Sequence, residues 1–457
     1  MKFLIIGSYI CQTHQIPDII KNSNIVEKHR GLQNSMTNHY SYFKGKLIGH
    51  GMEELGHEVS YLYGELINTI TLDKTTYLCS KDVTNDKLKD FDAIIFMKHN
   101  AGEIDNILNN CIPLKDLFKE KSKIDKTNLY KPYLVCKTCI LPNIDYISKI
   151  LKKNIGDVFD LFFLQTPEVR LDNGIIKGAL GIKSFYLYKN TLDNYLAIEN
   201  INAYMQKEKI KCHRFNYSEM FVDKNIKFSD ESPYIKTTKH TIIYIGRIRQ
   251  NFGMPLLFLM KLMHKLGKDY KLIIIPGSFN LPNSTDQPKY NPLRERHIKI
   301  LRNYVGSKVT KFYEKYRVKQ ENHNDYVHDE KLEYNIEILD PMNWGEQYKY
   351  IQHADVAINF SPNRRNGYHC QVANTKIFDY IASGTPVISE PGCQNNYMIN
   401  KYGCGIVLDK IGSIDDYLQG IKSILSKNYD KIKIREDFIS HENYLQRAIK
   451  MTEIFCK

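Results

Sequence analysis

The 457-residue chain has no apolar run near the ~18 residues that a bilayer-spanning helix requires, so no helix is expected to span a bilayer. The first apolar segment continues as IIGSYICQ, without the G-x-G-x-x-G of a nicotinamide dinucleotide site. No G-x-S-x-G elbow is present, which leaves an α/β-hydrolase unsupported. Only one C-x-x-C pair occurs, Cys136 and Cys139 in LVCKTC, and no second pair follows at zinc spacing. The ten cysteines therefore read as buried, inert thiols of a protein kept in a reducing compartment. Internal repeats and low-complexity tracts are absent too. MKFLIIGSYIC looks superficially like a signal peptide, yet it has one basic residue and a short apolar stretch broken at Gly7. A buried first strand followed by a turn explains it better.

What is present is ordinary globular composition, with 42% hydrophobic and 25% charged residues, enough for a core built without metal or disulfide staples. The 64 basic and 51 acidic side chains leave a net charge of +13. That excess suits a nucleic acid, an anionic membrane surface or an anionic substrate, and composition does not choose among them.

Short apolar strands alternate with amphipathic helices throughout, the pattern of parallel sheets built from βαβ units. Strands are predicted at Lys2–Ile6, His57–Tyr63, Ala93–Met97, Tyr133–Cys136 and Leu161–Leu164, with a helix over Tyr42–Leu55. The polar stretch DKNIKFSDESPYIKTTK, 223–239, reads as a linker between a first domain, 1–222, and a second, 240–430. The second series has strands at Thr241–Ile245, Lys271–Ile275, Ile336–Leu339, Val356–Phe360 and Pro386–Ser389. Helices are predicted near Met254–Leu266, Glu346–Gln352 and Thr375–Ala382. The insertion 278–335 is too long for one connection and reads as a solvated, basic helical excursion. Residues 431–457 close the chain with helical spacing. Two Rossmann-like α/β domains result.

The most informative segment is NWGEQYKYIQHADVAINFSPNRRNGYHCQVANTKIFDYIASGTPVISEPGCQNNYMINKYG, from Asn343 to Gly403. A loop after strand ADVAINFS runs directly into helix TKIFDYIA, whose free N–H groups and dipole favour an anion such as a diphosphate. Lys376 sits in the first turn of that helix and Asp379 one turn further on, where a carboxylate suits a ribose diol.

These residues resemble the donor-binding domain of GT-B glycosyltransferases, in particular the GT4-like group. ADVAINFSP resembles the family's "aDv.v.PS", KIFDYIASGTPVIS its "k.fEymA.G.PVI", TIIYIGRIRQNFG its "y.GRl...KG" and KLIIIPG its "l.ivG.G". FISHENYLQRAIKMTEIF is similar to the closing helix, which in the family packs back toward the N-terminal domain. The likeness covers roughly Thr241–Phe455, and before Asp223 only the βα rhythm matches. It implies a GT-B fold, two Rossmann-like domains facing each other across a cleft, and transfer of a sugar from a nucleotide diphosphate sugar to an acceptor hydroxyl. It further implies retention of configuration, no metal and no cofactor, the donor being UDP- or GDP-linked.

Carried over by residue, the resemblance implies donor binding by Gly246, Arg247, Gln371, Asn374, Thr375 and Asp379, with His99 and Arg247 as catalytic candidates. Lys376, placed on the helix to neutralise phosphate, is a third, and Arg249 is a further donor-binding candidate. Gln12, Thr13 and His14 after the first strand, with Glu168 and Arg170 in FLQTPEVR, stand on the acceptor side, at strand ends where open α/β sheets bind ligands. Gly384 serves the helix-to-strand turn. Two positions depart from the pattern: Phe252 replaces the family's Lys, with Arg249 nearby, and Gln371 replaces the first Glu of E-x7-E. A glutamine can hydrogen-bond a sugar hydroxyl but cannot act as a base.

The implied partners are a nucleotide sugar and a glycan, lipid-linked or protein acceptor, in the cytoplasm and without nucleic acid. The basic cluster Arg294–Lys319 suggests peripheral contact with an anionic membrane or glycan. A metal-dependent GT-A enzyme would need a D-x-D after a strand, whereas DFD at Asp90–Asp92 precedes one. The competing readings are a non-catalytic sugar-nucleotide or nucleic-acid-binding protein on the same scaffold, and a GT-B sugar-nucleotide epimerase.

Overall fold

A computed structural model describes residues 1–7, 39–63, 68–72, 75–97, 111–121, 133–139, 161–164, 184–188, 211–215, 220–234, 236–246, 256–276, 335–339, 346–360, 374–393 and 395–455. These form two compact units, one of Met1–Lys224 with Glu442–Lys457, the other of Asn225–His441.

The N-terminal unit carries β1 (Lys2–Gly7), α1 (His39–Glu54), β2 (Glu58–Tyr63), β3 (Ile70–Leu72), β4 (Thr75–Cys79), α2 (Asn85–Lys89), β5 (Ala93–Phe96) and α3 (Ile112–Lys121). It continues through β6 (Tyr133–Cys139), β7 (Leu161–Leu164), β8 (Ser184–Tyr188) and β9 (Lys211–Phe215). The strands lie in the order β3-β4-β2-β1-β5-β6-β7-β8-β9, parallel except for the β3–β4 pair. Phe3–Ile6 and Ala93–Phe96 are buried along their whole length, as parallel strands covered on both faces must be. Strands β3, β4, β8 and β9 were not predicted. Of their segments, ITL and KCHRF lack the continuous apolar run that betrays a central strand, whereas SFYLY carries one and was overlooked.

The C-terminal unit is built from β10 (His240–Gly246), α4 (Leu256–Leu266), β11 (Tyr270–Pro276), β12 (Ile336–Ile338), α5 (Tyr348–Ile351), β13 (Val356–Asn359), α6 (Thr375–Ala382) and β14 (Val387–Ser389). Helix α7 (Asn396–Lys401), β15 (Gly405–Val407), α8 (Ile414–Leu425) and α9 (Lys431–His441) complete it. All six strands are parallel, in the order β12-β11-β10-β13-β14-β15. The chain first winds outward from β10 to β12, then returns to β13 and winds the other way. That reversal opens a crevice at the carboxyl ends of β10 and β13, where sheets of this kind bind ligands. The core below it includes Ile242, Tyr244, Leu259, Leu272, Ile274, Val356, Ile358 and Tyr417, all essentially inaccessible.

Residues 225–234, within the stretch read as a linker, pack as part of the C-terminal unit. The Ser229 carbonyl accepts from Gln352 at 2.6 Å, the Tyr234 ring stacks on Tyr350, and Arg435 covers the Phe228 ring at 4.1 Å. Polar composition hid these aromatic anchors. The terminal stretch 431–457 forms two helices rather than one. Helix α9 packs on α6 in the C-terminal unit, and α10 (Tyr444–Phe455) packs on α1 in the N-terminal unit. There a parallel bridge joins Val222 to Asn443. Buried Arg447 donates to the Met220 carbonyl at 3.0 Å and pairs with Glu442, so its charge is compensated in place.

Candidate active site

Helix α6 forms because TKIFDYIA puts Ile377, Phe378, Tyr380, Ile381 and Ala382 into the core while Thr375 stays in solvent. Its far end is set by Gly384, at φ +69°, a conformation that side-chain-bearing residues rarely adopt. A Cβ there would also stand 2.1 Å from the Lys431 carbonyl oxygen. Glycine is required twice over at this turn.

The near end of α6 meets the crevice. Beyond the last paired residues, Ile243 with Ala357, strands β10 and β13 are held together by a side chain. The Tyr380 hydroxyl accepts from the Ile245 amide at 2.9 Å and donates to the Ile358 carbonyl at 3.3 Å. Burial holds this phenol well above its ordinary titration range, so it remains a neutral donor and acceptor.

Just past this bridge, Gly246 adopts φ +143°, a region open essentially to glycine alone. A Cβ at Gly246 would lie 3.3 Å from both the Lys376 ammonium and the Tyr244 hydroxyl. The Lys376 Nζ donates to that hydroxyl at 3.3 Å and lies 4.5 Å from the centre of the Tyr244 ring. A cation reaching across from α6 is thus held against the end of β10.

Asn374, the N-cap of α6, makes no side-chain bond to its own helix. Its Nδ2 instead donates to Asn359 Oδ1 at 2.9 Å and to Cys393 Sγ at 3.1 Å. The Asn374 peptide is gripped on both sides by the Asn395 carboxamide, which accepts from its N–H at 3.0 Å and donates to its carbonyl at 2.6 Å. Asn359 donates onward to Ser389 Oγ at 2.7 Å. With the cap side chain turned inward, none of the first-turn amides of α6 is bonded by it, and the Ile377 N–H donates instead to the Asn374 carbonyl at 3.1 Å. Burial pushes the Cys393 thiol up to about 11, against the pull of the Asn359 hydrogen bond and the Lys376 charge, so it is no nucleophile at neutral pH.

Of the residues anticipated from the sequence, Gly246, Lys376, Asn374 and Thr375 come together here. Asp379 is also on α6, but it is buried, and its carboxylate accepts from the Tyr348 hydroxyl of α5 at 2.7 Å. Gln12, Thr13, His14, His99, Glu168, Arg170, Arg247, Arg249, Phe252 and Gln371 lie outside the described residues, as does nearly all of the insertion 278–335. Tyr244, Tyr380, Tyr348, Asn359 and Asn395 were missed. One signal was available: Asn359 is a carboxamide inside the apolar run ADVAINF, and such a residue is buried only where partners await it.

No known family's sequence profile matches the chain, and no curated protein does. Solved structures do match over its whole length. Sucrose-phosphate synthase from Thermosynechococcus elongatus superposes with a TM-score of 0.52 at 11% identity, covering 99% of this chain and 98% of that one. A UDP-forming α,α-trehalose-phosphate synthase from Burkholderia xenovorans gives 0.54 at 10% identity, covering 100% and 98%. The E. coli trehalose-6-phosphate structure with bound UDP-2-fluoro glucose gives 0.52 at 11%, covering 100% and 99%. The chain has the GT-B fold of these proteins.

Proposed function

We propose that the protein is a glycosyltransferase that moves a sugar from a nucleoside-diphosphate sugar to an acceptor hydroxyl. The observation that carries this reading is the meeting of Lys376, glycine-kinked Gly246 and the N-terminus of α6, which its cap side chain leaves unbonded, at the carboxyl ends of β10 and β13. A cation and oriented N–H groups fixed at one point suit a leaving diphosphate, whose charge grows as the glycosidic bond breaks. They would do this without a metal. Arg247, which follows Gly246 in the chain, would share the task. In this proposal Asp379 orients the ribose, its carboxylate steadied by Tyr348, and the N-terminal unit supplies His99 and the acceptor-side residues. Retention of configuration goes with the same reading.

The general kind of partner follows: a nucleotide sugar and a hydroxyl-bearing acceptor. The E. coli structure's ligand makes UDP-sugars the first donors to try, with GDP-sugars next. Contact of the basic segment Arg294–Lys319 with an anionic surface belongs to the same proposal. Among the described residues no helix is long and apolar enough to cross a membrane.

The test is incubation with a panel of UDP-, GDP- and ADP-sugars, following release of nucleoside diphosphate. Release is expected with at least one donor, and Lys376→Met should lower kcat/KM by about a hundredfold, the usual cost of removing one transition-state charge stabiliser. Asp379→Ala should abolish release. Binding of nucleic acid with no turnover of any donor would overturn the reading.

A further inference from the structure

We infer that Tyr244 is a positioning residue, holding the Lys376 ammonium at the mouth of the crevice before any ligand arrives. This rests on the proposed donor site. Tyr244 lies on β10 with its ring in the core of the C-terminal unit, 5.9 Å from the Phe360 ring, and is essentially inaccessible. Its hydroxyl lies beside Gly246, where a Cβ would sit 3.3 Å away. The Lys376 Nζ is bound there in two ways, by the hydroxyl at 3.3 Å and by the ring face at 4.5 Å.

The physical consequence concerns order. A lysine side chain is long and flexible, and freezing it on binding subtracts from the affinity gained. Tyr244 freezes it in advance. An ammonium has three donors, and the tyrosine oxygen takes one, so the others remain able to turn to phosphate oxygens while the ring contact persists. Because a tyrosine is neutral, it competes weakly with a diphosphate for the charge. The restriction at Gly246 supports the same arrangement, since any side chain there would crowd both groups.

The experiment compares dissociation constants of UDP and uridine, and of GDP and guanosine, by calorimetry on the full chain. Tyr244→Phe keeps the ring and removes the hydroxyl, so diphosphate affinity should fall about threefold with nucleoside affinity unchanged. Tyr244→Leu removes both contacts and should cost about tenfold. The decisive comparison repeats each substitution in a Lys376→Met background, where a residue acting only through Lys376 has nothing left to lose. Losses that vanish in that background support the inference. Losses that persist there, parallel losses of nucleoside affinity, or an unchanged Tyr244→Leu alongside a weakened Lys376→Met overturn it while leaving the donor site intact. A parent protein that binds neither nucleoside diphosphate removes the donor site and the inference together.

Discussion

Replacing Tyr380 by phenylalanine removes one oxygen from the centre of the C-terminal unit and tests how its crevice is built. In the parent that oxygen accepts the Ile245 amide and donates to the Ile358 carbonyl, bridging β10 and β13 just beyond their last paired residues. Phenylalanine fits the same space, so the apolar packing is retained. The Ile245 N–H is left buried without its acceptor, at a cost of about 1–3 kcal/mol, and the Ile358 carbonyl adds a smaller increment because it retains a second lone pair. A loss of about 2–4 kcal/mol is expected. For a unit of this size each kcal/mol lowers Tm by about 2–4 °C, so the transition of the Asn225–His441 unit should fall by roughly 5–15 °C in scanning calorimetry. The site should feel the change as well. Ile245 adjoins Gly246, so donor affinity should weaken even well below the transition. A variant melting within about 1 °C of the parent, with donor affinity intact, would refute the argument that this hydroxyl holds the strands at the crevice.

Two further predictions address the frame around the site. Gly384→Ala combines an unfavourable φ with a Cβ driven into the Lys431 carbonyl oxygen, and should cost about 3 kcal/mol or more, read as a lower urea midpoint at unchanged m. Gly384→Asn tolerates the positive φ but not the clash, so a nearly normal Asn variant would show that backbone conformation alone matters there. In the N-terminal unit, burial, the largest single influence on Glu54, pushes its carboxyl up. Hydrogen bonds from Lys224 and Tyr444 and the charges of Lys224 and His50 outweigh it and hold Glu54 below its ordinary value. A depressed carboxyl stabilises the fold above the unfolded pKa and loses that contribution as pH falls through the folded one. The stability gap between the parent and Glu54→Gln should therefore be about 1 kcal/mol at pH 7 and should narrow progressively as pH falls below the ordinary glutamate value of about 4.3, checked by urea titration across that range. A gap that persisted unchanged in acid would assign Glu54 a packing role.

Local patterns were legible wherever one side chain's chemistry answers to one backbone neighbourhood. The apolar runs FLII, TIIYI and KLIII are buried parallel strands, because only a strand covered on both faces is apolar without alternation. The eight residues of α6 were bounded by their own amphipathicity, and the role of Gly384 followed from the helix-to-strand junction. The reversal of winding at β10 and β13 was less accessible, since strand order depends on pairings between segments more than a hundred residues apart. Edge strands such as β3 carry too little apolar signal to stand out.

The sequence by itself determined the α/β class, the central strands, the second domain's succession of elements and the resemblance that pointed to Gly246, Asn374 and Lys376. Tertiary structure alone decided what those residues do to one another. Lys376 meets Tyr244 across 132 positions of chain, and Asn395 grips a peptide 21 residues away. A buried polar group must find its partner wherever the fold brings one, so its partner is a property of the packed molecule and not of its neighbours in sequence. The same reason explains Asp379. Its place on the helix was readable, but its bond to Tyr348 exists only because α5 and α6 pack together.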